Sequence, residues 1–130
     1  MSRRSRVSVS VDQVRGLLLV RLFGVVGDNE TPPDLPNLVL EATCDEPWRF
    51  DVLMDFRRFA ADIDGPRIGA GLQRWTDVEK RHSPPRKLAL IVPDLGLRAQ
   101  IMAVADANRH RTAHYFDGLD GALDWLRPAA

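Results

Sequence analysis

The sequence is short of several residue types, and each shortage narrows the choices. It has one cysteine, Cys44, so no disulfide can form within the chain. A reducing compartment suits such a chain, and a cytoplasmic location is expected. There is no excess of either charge, because eighteen basic residues face eighteen acidic ones. A surface tuned throughout for nucleic acid is normally basic, so no nucleic-acid partner is expected. No apolar run approaches the ~20 residues of a membrane span. The longest runs from Gly16 to Val26 and is broken by Arg21. The early arginines Arg3, Arg4 and Arg6 are followed by alternating residues, not by the continuous apolar stretch of a secretory leader. Between Thr43 and Thr76, 32 consecutive positions hold no serine, threonine or tyrosine.

What is present reads as one α/β domain over residues 7–127, preceded by a basic tail over 1–6. The length of 130 residues is enough to bury a core without metals or disulfides. Val7-Ser8-Val9-Ser10-Val11 alternates with period two, the mark of a half-buried strand. Gln13 to Gly16 is a turn, and Leu17 to Phe23 is a nearly continuous apolar strand covered on both faces. The short link predicts an antiparallel hairpin. Residues 24–36 are rich in glycine and proline and form the longest irregular stretch. A short helix is expected from about Leu35 to Asp45, although Leu38, Leu40 and Ala42 do not share one face. Phe50 to Phe56 is the third strand. Gly65-Pro66 opens a helix with Ile68, Leu72, Trp75 and Val78 on one stripe, ended by Pro84-Pro85. Leu88 to Val92 is a buried strand. Pro93-Asp94 opens the next helix, with Leu97, Ile101 and Val104 or Ala105 inward. Thr112 to Phe116 is a last strand, and Asp117 to Leu126 holds a closing helix. The predicted order is β-β-α-β-α-β-α-β-α, with a mixed, mostly parallel sheet and helices packed on it.

This pattern resembles the SpoIIAA-like branch of the STAS fold, the fold of anti-sigma factor antagonists. The residues that carry the resemblance are Val52-Leu53-Met54-Asp55-Phe56, the following Trp75 helix, and the Leu88 to Val92 strand with its alanine-rich helix. The close, Tyr115-Phe116-Asp117 and then Ala122 to Trp125-Leu126, carries it as well. It covers nearly the whole chain, and its motifs are core residues that speak for fold more than activity. The resemblance implies a binding or regulatory role, with a protein or apolar ligand as partner. In the prototype a serine turn after the third strand is phosphorylated. Matched by strand ends, that turn falls near Asp62-Ile63-Asp64-Gly65-Pro66, inside the hydroxyl-free stretch, so no phosphoacceptor is expected. Asp64 there either caps a helix or holds a constant negative charge beside its N-terminus.

No catalytic constellation, metal motif or phosphate loop is apparent, so a non-enzymatic module without cofactor is expected. His110 and His114 are four apart, but the second falls in a predicted strand, which spoils a helical ligand pair. Asp55, Arg57 and Arg58 fall at the C-terminal end of a parallel strand, where open α/β sheets bind ligands. With Asp64 and Gly65 they form the candidate ligand or partner surface. The two arginines could grip an anion bidentately, or could pair with Asp55, Asp62 or Asp64 in surface salt bridges. Lys80, Arg81, His82, Arg86 and Lys87, with the tail arginines, form either a solvated helix end or a patch for an anionic membrane surface. Cys44 is expected to be a small buried hydrophobe. The alternative function is a carrier or sensor of an apolar, lipid-like ligand, with residues 24–36 gating its cavity. A phospho-switched antagonist and a homodimer are the remaining options.

Overall fold

The computed structural model of the chain describes residues 6–24, 35–59, 77, 86–108 and 112–127. Period-two alternation at the start forms β1 (Arg6–Asp12), joined through a four-residue turn to β2 (Leu17–Gly24). The two strands pair antiparallel from Arg6↔Phe23 to Asp12↔Leu17, as the short link predicts. The Asp12 carboxylate accepts the Arg15 N–H at 3.1 Å, and Gly16 takes φ +63°. A left-handed residue is what this turn needs to rejoin the strand, and glycine adopts it without Cβ strain.

The chain continues as α1 (Leu35–Ala42), a 3-10 turn (Pro47–Arg49) and β3 (Asp51–Phe59). It then forms β4 (Lys87–Ile91), α2 (Leu95–Asn108), β5 (Thr112–Phe116) and α3 (Leu119–Leu126). The sheet order is β1-β2-β3-β4-β5, with β2 to β5 all parallel. The fold is therefore α/β with a mixed five-stranded sheet and three described helices. The helix expected over Gly65 to Pro84, with Trp75 on its apolar stripe, lies outside the described residues except at residue 77, as do residues 25–34 of the stretch 24–36 expected to be irregular.

The strand period sorts the core onto two faces. Leu18, Val20, Val52, Met54, Leu90 and Val92 point to one side, where Val39 of α1 and Leu97 and Ile101 of α2 meet them. Leu17, Leu53, Ala89 and Ile91 point to the other, under Ala122 and Leu126 of α3. Fully burying one such aliphatic side chain contributes ~1.5–3 kcal/mol, so these two layers anchor the sheet between the helices. Crossovers through α1 and α2 advance across the sheet in one direction on one face, which gives both the same hand.

Helix α2 starts as the sequence indicates. Asp94 is its N-cap, and its carboxylate accepts the Leu97 N–H at 2.8 Å. The end of α1 is less ordinary. The Thr43 hydroxyl, buried, donates to the Val39 carbonyl at 2.7 Å, and Cys44 and Asp45 both take left-handed φ, at 51° and 64°. This turn lifts Cys44 out to solvent, so the cysteine is exposed, not a small buried hydrophobe.

Candidate functional site

The C-terminal ends of β2 and β3 meet at an irregularity. Arg21 pairs with Asp55, but Phe23 pairs with Arg58, so two steps along β2 match three along β3. The register shifts by one residue, as at a β-bulge, and such a shift resets the alternation of side chains. Asp55 lies in phase with Leu53, on the α3 face, and its register partner Arg21 shares that face. After the shift Arg58 sits opposite Phe23, which is in phase with Arg21. Three residues from Asp55, Arg58 thus returns to the same face. Phe59, one step further, turns to the other side and packs edge-on against Phe56, with ring centres 5.9 Å apart.

Asp55 and Arg57 form the fixed part of this region. Asp55 is buried at 8% exposure. Its Oδ1 accepts the Arg57 backbone N–H at 3.0 Å and the Nε–H at 3.0 Å, and its Oδ2 accepts from Nη2 at 2.7 Å. Burial pushes the carboxyl up, but the Arg57 hydrogen bonds and the charges of Arg57 and Arg21 together outweigh it and hold the pKa below the ordinary carboxylate range. Hydrogen bonding to Asp55 raises the Arg57 guanidinium further above its ordinary value, against a smaller opposing effect of burial. Arg57 thus pairs with Asp55, as one reading of the sequence offers, with the arginine exposed at the surface and the carboxylate buried beneath it.

Arg21 and Arg58 are exposed, and neither forms a hydrogen bond or ion pair with another described residue. An open cavity of about 400 Å³ lies here, lined among the described residues by Arg21, Leu22, Phe23, Asp55, Arg57 and Arg58. Asp55, Arg57 and Arg58 are thus brought together as expected. Asp64 and Gly65 lie outside the described residues. Arg21 is the residue that sequence reasoning missed, although the signal was present as the single charge interrupting an apolar strand. Placing it needed the β2–β3 register.

Other described basic residues are paired within the chain. Lys87 donates its Nζ to the Trp125 carbonyl at 2.9 Å and sits 5.3 Å from the Trp125 ring centre. That places a cation at the C-terminal end of α3, where it is favoured. Arg86 pairs with Asp51 at 3.4 Å. These two members of the expected basic patch are held internally, and Lys80, Arg81 and His82 lie outside the described residues. His114 stacks on Trp125, with ring centres 4.6 Å apart, on strand β5. At the far ends of β4 and β5, Arg98 donates to the Val92 carbonyl at 2.8 Å and to Asp117 at 2.8 Å. Arg98 therefore ties the sheet end together. No described helix is long and apolar enough to cross a membrane.

Comparison with known proteins yields no matching family model, and no curated protein or solved structure matches the chain significantly.

Proposed function

We propose that the chain is a non-catalytic binding module that takes an anionic group in the cavity at the ends of β2 and β3. The observation that carries this reading is a pair of exposed arginines, Arg21 and Arg58, that form no hydrogen bond or ion pair with another described residue and line one cavity with an arginine that Asp55 already holds in place. Three guanidiniums against one carboxylate leave the described lining with a formal charge of +2. Arginine keeps its proton at any working pH, and the Asp55 carboxylate spends its oxygens on Arg57. These groups supply charge and donors, not a nucleophile or a proton relay. Binding is the chemistry they suit.

The SpoIIAA-like reading of the fold belongs here too. It is supported by an antiparallel hairpin leading into parallel strands, with helices on both faces. The alternative of an apolar ligand gated by residues 24–36 rests on a segment outside the described residues. The charge of the described cavity favours an anion over a hydrocarbon.

Amide NMR of the labelled protein tests the reading, with inorganic phosphate added against chloride at matched ionic strength. Saturable shifts confined to residues 21–23 and 55–59 are expected. Shifts scattered over all surface amides would show ordinary ionic screening and would remove the reading.

A further inference from the structure

The identity of the anion follows from how Arg57 is used. A guanidinium has five N–H donors in a planar fork. Asp55 occupies the Nε–H and one Nη2–H, the inner edge of that fork. Both Nη1 donors and the second Nη2 donor remain, and one Nη1–H with that Nη2–H forms the outer edge. A plane fixed along one edge has its other edge fixed as well, so Arg57 presents a pre-oriented second fork, with the side chain 42% exposed. Such an edge receives two oxygens of an oxyanion side by side. Arg58 follows Arg57 directly, and Arg21 stands opposite Asp55 across the β2–β3 register, on the same face after the shift. Both line the same cavity as Arg57 and add positive charge to it.

Charge then separates the candidates. A carboxylate brings two oxygens and one negative charge, which leaves one guanidinium unmatched. A sulfonate or a phosphate diester brings one charge as well. A phosphate monoester brings three terminal oxygens and a charge of about −1.5 to −2 at neutral pH, which balances the +2 of the described lining. The cavity volume of about 400 Å³ falls in the range of small-molecule sites, and Leu22 and Phe23 provide an apolar wall for the organic part. Resting on the anion-binding reading above, we propose that the occupant is a small-molecule phosphate monoester, recognised as a dianion by Arg21, Arg57 and Arg58.

Phenyl phosphate and benzenesulfonate test this together, because they share a ring and three terminal oxygens but differ in charge. Each is titrated into the labelled full chain at matched ionic strength and neutral pH, with the shifts of residues 21–23 and 55–59 followed. Phenyl phosphate is expected to bind about tenfold more tightly, with the preference reduced in Arg21→Gln and in Arg58→Gln. Both positions are exposed, so the variants should fold like the parent, and equal melting temperatures check that. Equal affinity for the two probes would overturn the dianion inference while leaving the anion-binding reading intact. An unchanged preference in both variants would overturn it as well. No local shift with either probe would remove the anion-binding reading and this inference with it.

Discussion

The Asp55–Arg57 clamp carries a stability prediction that can be worked from its geometry. The Asp55 side chain is only 10% exposed, while that of Arg57 is 42% exposed. A hydrogen bond to a charged group contributes ~1.5–3 kcal/mol when well shielded. Solvent around the arginine screens its half of the interaction, so the side-chain coupling should come to about 1–2 kcal/mol. The two single truncations should differ. Removing Arg57 leaves a buried carboxylate with the backbone N–H of residue 57 as its remaining donor here, and should cost about 2–3 kcal/mol. Removing Asp55 frees an arginine that can turn to water, and should cost about 1–2 kcal/mol. A double-mutant cycle of Asp55→Ala and Arg57→Ala, read from urea unfolding midpoints with a shared slope, measures all three quantities. A coupling below about 0.3 kcal/mol would refute the clamp. A larger loss from Asp55→Ala than from Arg57→Ala would show that the burden of burial has been assigned to the wrong partner.

The same pair sets an acid limit. The Asp55 pKa is depressed in the folded chain, so its stabilisation is fully present above the unfolded value of about 3.9 and is lost as pH falls through the lower folded value. Urea midpoints of the parent should therefore fall more steeply on acidification below about pH 4 than those of Asp55→Asn, and equal slopes would contradict this. Cys44→Gly should raise stability by about 0.5–1 kcal/mol, because it relieves a left-handed φ of 51°. In the native parent Cys44 should react with a thiol reagent at nearly the rate of the unfolded chain, which a kinetic trace with and without urea will show. Leu18→Ala, at a position with no exposure, should cost about 3 kcal/mol, whereas Val14→Ala at 97% exposure should stay within about 0.5 kcal/mol in the same unfolding assay.

Much of the architecture was legible because the strands wear their burial openly. Val7, Val9 and Val11 alternate with exposed Ser8 and Ser10, and they pack on the α1 and α2 face as their period requires. Leu88 to Val92 is apolar throughout because both faces of β4 are covered. Helix α1 was poorly patterned for a physical reason. Among the described side chains, the buried one within the helix is Val39, and the next, Thr43, lies just past its end and is a polar residue that hides its hydroxyl on a backbone carbonyl. A search for apolar stripes passes over such a position. The extension of β3 through Arg57, Arg58 and Phe59 was also hidden. Two charges look like the end of a strand, and only pairing with β2 shows that the strand runs on past a register shift. The site inherits that limit. Asp55, Arg57 and Arg58 stand together in sequence, but Arg21 joins them through register, and register is a property of two strands at once. Cys44 was misjudged because residue type suggests burial while the turn geometry decides it.

The central claim is that Arg21 and Arg58 hold an anion beside a pre-oriented Arg57. It is tested most directly by the affinity of the parent and of the Arg21→Gln/Arg58→Gln double variant for phenyl phosphate, measured by calorimetry at matched ionic strength. The account predicts at least about tenfold weaker binding in the variant with an unchanged melting temperature. Equal affinity in the two proteins would contradict it.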